Sequence, residues 1–261
     1  MEPIYVLVGA LTGLLVGLTG VGGGAIMTPT LISLGIPPLT AIGTDLWCAA
    51  ITKIAGSSFN YKQKLIDWSV ARLLWSGSIP TSLITLVWLN STDLSDSNFD
   101  ILKISIAVMM LLTSLGLIFQ YPLHAIGREQ RINNATHFRA FQKPLTVIGG
   151  SVLGLAVTLT SVGAGALGVV LLSYLYPLRL TPMRLVATDI VHAIPLAIFA
   201  GVGHLFLGNV LPGLLLSLLA GSLPAVLLGS KLSMTVPQPI LRKILSVIVI
   251  IAGANLLRSA L

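Results

Sequence analysis

Charge is what this sequence has least of: acidic and basic residues together make up 9% of its 261 positions. A soluble globular chain carries about 25%, so there is too little polar surface here to face water. Acidic residues are the scarcer sign, 8 against 15 Lys and Arg. The basic excess does not point to nucleic acid, because the cations sit in short stretches between apolar segments and form no dense stripe. Cysteine is nearly absent. The lone Cys48 lies inside an apolar run, which excludes an intrachain disulfide. Catalytic signatures are missing too: neither HExxH, nor GxSxG, nor a Walker loop occurs. An enzyme is therefore not expected, and neither is a cofactor or a metal site. No basic stretch precedes the first apolar segment, which follows Glu2 and Pro3, so that segment is read as part of the mature protein.

What is present is apolar sequence in long runs. Hydrophobic residues reach 55%, and several runs approach or exceed the roughly 20 residues that a spanning helix needs. The runs also repeat. Residues 9–25 read GALTGLLVGLTGVGGGA and residues 150–166 read GSVLGLAVTLTSVGAGA, identical at ten of 17 positions with an offset of 141. After a three-residue insertion the register resumes at 144. Pro38 then matches Pro182, Thr44-Asp45 matches Thr188-Asp189, and Gly77-Ser78-Ile79-Pro80 matches Gly221-Ser222-Leu223-Pro224. Shared glycine, proline and aspartate are what chance matches between apolar segments do not supply. Between the copies lies a polar stretch, residues 121–143, with Arg128, Arg131, Arg139 and Lys143.

The first run of each copy has an awkward length. About 32 residues would make a helix of roughly 48 Å, too long for a ~30 Å hydrocarbon core and too short for two spans. Glycines interrupt both runs at mid-length. A re-entrant hairpin of two half-helices, turned at a glycine tip, resolves the mismatch. One hairpin plus three spans per copy makes the second copy enter the membrane inverted. With the basic stretch in the cytoplasm, Lys62, Lys64, Arg72, Arg128, Arg131, Arg139, Lys143, Arg179, Arg184, Lys231, Arg242 and Lys243 all fall inside. Only Lys103 and Arg258 fall outside, with Lys53 left in the membrane. The positive-inside rule prefers this arrangement to four spans per copy. The expected fold is therefore all-α integral membrane: two inverted repeats, each a re-entrant glycine-tipped helical hairpin plus three transmembrane helices. Residues 1–120 form the first repeat, 121–143 a cytoplasmic basic linker and 144–261 the second repeat.

Helices broken in mid-membrane leave unpaired backbone N–H groups and a positive dipole end at the break. Glycine lets a ligand approach those groups closely, and helix N-termini bind anions. The candidate substrate-binding residues are thus Thr19, Gly20, Gly22, Gly23 and Gly24 in one copy and Thr160, Ser161, Gly163 and Gly165 in the other. The competing reading is that the glycines serve close helix packing. A second set consists of ionisable groups at membrane depth: Asp45, Asp189, His192 and Lys53. A charged side chain there costs about 2.5–3.5 kcal/mol on insertion scales, so equivalent aspartates call for a role, in proton coupling or in stabilising the glycine tips. His192 lies three residues after Asp189 on the same helical face. Lys53 either attracts an anionic substrate or snorkels to the interface. The four tryptophans, Trp47, Trp68, Trp75 and Trp88, suit in part the membrane–water interface.

The stretch GLTGVGGGAIMTPTL at 17–31 with PPLTAIGTDL at 37–46, and its second copy TLTSVGAGALGVVLL at 158–172 with RLVATDI at 184–190, resembles the sulfite exporter TauE/SafE family of membrane permeases. The resemblance covers nearly the whole chain apart from the linker. It implies a multi-pass permease of the bacterial plasma membrane for small sulfur-containing oxyanions such as sulfite, thiosulfate or organosulfonates. Asp45 and Asp189 depart from the uncharged residues common there, which adds proton coupling to the expectation. The expected partners are a small anionic substrate, the lipid bilayer and protons. A passive anion channel, and a cation or metal permease using the two aspartates, stay open as alternatives.

Overall fold

A computed structural model describes residues 2–260 apart from 21–22, 63–64, 92–95, 134, 164 and 234–237. Within these residues the chain is all-helical. The first half contributes α1 (Pro3–Thr19), α2 (Gly24–Ser33), α3 (Pro38–Lys62), α4 (Trp68–Ser91) and α5 (Asp96–Asn133). The second half contributes α6 (Ala135–Thr160), α7 (Ala166–Leu175), α8 (Pro182–Phe206), α9 (Pro212–Leu232) and α10 (Gln238–Ala260). Five of these helices have described stretches long and apolar enough to cross a membrane. Large apolar side chains cover their outer faces, including Leu83, Ile84, Val87 and Trp88 on α4. So extensive an exposed apolar surface marks a chain that faces lipid.

Each first run is broken where the glycines cluster. Helix α1 stops at Gly20, whose φ of 66° caps it in the left-handed region, and α2 restarts at Gly24. In the second half α6 ends at Thr160 and α7 restarts at Ala166. The polar stretch between the halves is helical rather than an open loop: α5 runs on to Asn133 and α6 begins at Ala135. At 1.5 Å per residue, the 38 residues of α5 span roughly 57 Å, so the helix exceeds a bilayer core.

The halves are interleaved. Helix α1 packs on α9 and, reciprocally, α6 packs on α4. Small residues make both contacts possible. A Cβ on Gly9 or Gly13 would run into the backbone of Leu218 or Ser222, and one on Gly150 or Gly154 into that of Leu74 or Ser78. Backbones this close are the usual role of small residues between membrane helices. The opposite faces, Ile4, Leu7 and Leu11 on α1 and Ile148, Val152 and Leu155 on α6, are exposed at helical spacing. Close packing thus falls to these glycines, and at the breaks to Gly24 as well, where a Cβ would meet the Ser161 backbone.

Helices α3 and α8, the third of each half, lie against each other and run antiparallel. Trp47 donates its indole N–H to the Gly201 carbonyl at 2.9 Å, and Gly43 abuts His204 and Asn209. Thr44 Oγ1 accepts the Leu211 N–H at 3.3 Å, while the equivalent Thr188 Oγ1 accepts the Asp67 N–H at 3.0 Å. Leu211 and Asp67 are themselves 144 residues apart and precede α9 and α4. Each half therefore ties down the start of the other half's fourth helix through the same threonine. The main apolar core, with Ile42, Leu46, Ala193 and Leu196 fully buried, lies around this pair.

Candidate functional site

The interior polar groups gather where α3 meets α8 and the two helix breaks. Asp45, Lys53, Asp189 and His192 are all buried. Helix α3 carries the first two, α8 the others, and antiparallel packing lets Lys53 interact electrostatically with Asp45 and Asp189 together. Lys53 does not snorkel outward: its side chain is inside the bundle.

The two carboxyls have different surroundings. Thr28 on α2 donates its hydroxyl to Asp45 Oδ2 at 2.7 Å, while Oδ1 has no hydrogen-bond partner among the described residues. Asp189 has none at either oxygen among those residues. What faces it from α7 is Gly168, where a Cβ would collide with Oδ1. The second half thus makes room for its carboxyl without offering a hydroxyl. His192 turns away from Asp189: its Nε2 lies 3.0 Å from Ser78 Oγ on α4, and its carbonyl accepts the Trp75 indole N–H at 3.0 Å. The equivalent of His192 is Cys48, and its Sγ lies 3.5 Å from Ser222, the equivalent of Ser78.

The helix breaks meet each other. A Cβ on Gly24 would strike the Ser161 carbonyl, so the start of α2 lies against the end of α6. Ser161 is the equivalent of Gly20 and shares its left-handed backbone, with φ 57°, the only described residue other than glycine with positive φ. A side chain there costs about 1–2 kcal/mol. Its buried hydroxyl reaches towards Asp45 without completing a hydrogen bond. Gly163 and Gly165 also have positive φ, 114° and 121°, whereas Gly23 is right-handed at −66°. Gly22 lies outside the described residues. Thr19 and Thr160 are buried, but their hydroxyls donate to the Leu15 and Ala156 carbonyls at 2.7 and 2.6 Å. They line the breaks with those donors already engaged.

Beside Asp45 lies a cavity of about 10 Å³ bounded in part by Thr12, Gly23, Met27, Cys48, Thr52 and Ser222. That is the lower edge of what one water needs, ~10–15 Å³.

Reasoning from sequence missed several of these residues. Thr28 lies within the quoted stretch 17–31, but nothing local showed that it faces Asp45. Asp67 went unnoticed as well. Arg179, from the α7–α8 connection, donates Nε–H to Asp67 Oδ2 at 2.7 Å and Nη2–H to Oδ1 at 2.8 Å, and Arg184 stands 3.8 Å away. Burial pushes the Asp67 carboxyl up. The Ser69 hydroxyl, the Arg179 charge and the Val70 N–H outweigh it and hold the carboxyl below its usual range. Trp47 and Trp75 are half-buried and bonded to α8, whereas Trp68 and Trp88 are exposed as interfacial anchors would be. Asn60, the equivalent of His204, has a side chain outside those described. His204 itself is fully buried against the Thr158 carbonyl.

The family model for the sulfite exporter TauE/SafE matches residues 5–256. The chain belongs to that family. A probable membrane transporter protein of Bacillus subtilis, YjnA, is 35% identical over 259 residues, covering 98% of this chain and 100% of the relative. A second from the same organism, YdhB, is 25% identical over 265 residues, covering 97% and 99%. A probable membrane transporter protein of Haemophilus influenzae is 29% identical over 173 residues, 62% of this chain and 59% of the relative. No solved structure matches the chain significantly. Family and relatives point to a multi-pass membrane transporter rather than an enzyme.

Proposed function

We propose that the chain is a secondary transporter for a small, sulfur-containing oxyanion such as sulfite, thiosulfate or an organosulfonate, coupled to protons. The observation that carries this reading is the meeting of both helix breaks beside the buried Asp45, with a buried lysine whose charge acts on both carboxyls. Ile26 and Met27 donate their N–H groups to the Gly23 carbonyl, but those of Gly24 and Ala25 at the start of α2 have no intrahelical acceptor, and with Lys53 and the Ser161 hydroxyl they supply the donors a compact oxyanion takes. Thr160 and Thr19 shape the walls, and Gly20, Gly163 and Gly165 permit the turns.

In this reading the halves are inverted in the plasma membrane, the breaks are re-entrant tips near the midplane, and the basic stretch 121–143 faces the cytoplasm. The antiparallel packing of α3 against α8 supports inversion. The site between repeats with interrupted helices is where transporters of this architecture bind. The test is flux of labelled sulfite, thiosulfate and organosulfonates into proteoliposomes, with and without a proton gradient. Saturable flux driven by the gradient is expected. No flux across the panel would sink the reading, and single-channel currents would favour the channel instead.

A further inference from the structure

We infer that the two aspartates have separate roles: Asp189 carries the coupling proton, while Asp45 shapes the anion site. This rests on the proton-coupled reading above and assigns the proton to one carboxyl.

Three observations carry it. Asp45 already accepts the Thr28 hydroxyl, whereas neither oxygen of the fully buried Asp189 has a partner among the described residues. Gly168 leaves the Asp189 carboxyl room that a Cβ would take. The third observation is one of charge. Lys53 is the buried ammonium that interacts with both carboxyls, and its equivalent in the other half is the buried Ala197. Two carboxylates and one ammonium leave an excess negative charge in a buried interior, where desolvation makes it unfavourable. One proton removes it. The carboxylate with a hydroxyl donor is better served by staying ionised, so the proton belongs on the other. Besides Lys53, α3 brings Asp45 and Cys48 to α8, the buried Asp67 ahead of α4 donates its N–H to Thr188, and His192 follows one turn along α8; α4, α6 and α7 bring only serine and threonine among their buried polar residues. A glycine wall does not offer the ring of oxygens that a hard cation takes.

Coupling follows from the same balance. An O–H bond formed at Asp189 releases the field of Lys53 for an incoming anion. Loss of that proton to water restores the carboxylate, which competes for Lys53 and favours anion release. Proton and anion therefore strengthen each other's binding reciprocally, one proton per exchange of state, and travel in the same direction.

The test compares Asp189→Asn, Asp45→Asn and Gly168→Ala in proteoliposomes with labelled sulfite and an internal pH dye. Asp189→Asn is expected to lose proton-driven sulfite accumulation and the linked pH change by about tenfold or more, and to keep sulfite–sulfite exchange within about threefold of wild type. Asp45→Asn should lose both activities. Gly168→Ala, which keeps the carboxyl but crowds it, should weaken accumulation more than exchange. Retained proton-driven accumulation in Asp189→Asn, or equal loss of both activities in both aspartate variants, overturns the inference. Net sulfite accumulation by wild type that neither needs a proton gradient nor moves protons overturns the coupled reading instead. Infrared difference spectra across pH need no substrate. The protonated-carboxyl carbonyl band should vanish in Asp189→Asn and persist in Asp45→Asn; the reverse pattern overturns the assignment.

Discussion

The two halves repeat the same backbone contacts and then dress them differently. Thr44 and Thr188 hold equivalent backbone N–H groups, and Gly13 and Gly154 approach equivalent serines. Asp45, however, meets a threonine where Asp189 meets a glycine; Lys53 stands opposite Ala197 in the repeat, and Cys48 opposite His192. At the helix break, Ser161 keeps the left-handed conformation that Gly20 adopts without strain. The ion pair of Asp67 with Arg179 has Leu211 and Gly35 as its counterparts, so this tie by charge is not repeated in the other half. A shared scaffold with unequal side chains is what a carrier needs: two related conformations from the repeat, and different ligands for an anion and a proton.

The scaffold is most easily broken where backbones touch. Gly13→Leu and Gly154→Leu should each prevent accumulation of folded protein, costing more than about 3 kcal/mol, since the obstructing atoms are backbone. Detergent gel filtration checks this, and similar severity at the two sites is expected from their equivalence. Next comes the difference between the carboxyls. Thr28→Val removes the Asp45 donor and should slow sulfite exchange by about tenfold, read in proteoliposomes, while stability falls by only about 1 kcal/mol.

The charged tie gives a smaller effect with a definite pH dependence. Because the folded protein holds Asp67 below its usual range, the pair adds stability above the unfolded carboxyl value of about 3.9 and loses it as pH falls through the lower folded value. Asp67→Asn should lower the melting temperature by a few degrees near neutral pH, from loss of the pair and of the α4 cap at about 1–2 kcal/mol. The gap to wild type should close in acid. Smallest is Ser161→Gly, which relieves the left-handed serine and should stabilise by up to about 1 kcal/mol in thermal unfolding. Exchange should nonetheless drop, because the hydroxyl near Asp45 is gone.

Much of this was legible in the sequence because the informative residues are special ones. Glycines at 20–24 and 163–165 break helices wherever they are packed, and the Asp45 and Asp189 matches survive any uncertainty in segment ends. What was not legible depends on which helices touch. Lys53 acts electrostatically on both carboxyls because α3 and α8 are antiparallel neighbours. Thr28 and Arg179 find their partners across 17 and 112 residues, and no spacing rule connects them. The polar stretch 121–143 was read as a linker from its charge; its described residues form the end of α5 and the start of α6. Trp47 and Trp75 looked interfacial by type, but each has a backbone carbonyl of α8 to bond.

The claim that both halves build one anion site around Lys53 is tested most directly by equilibrium binding of labelled sulfite to the purified protein and to Lys53→Gln. Saturable binding to wild type, weakened about tenfold or more in a variant that melts within a few degrees of it, is the predicted result. A Lys53→Gln protein that binds sulfite as wild type does would contradict it.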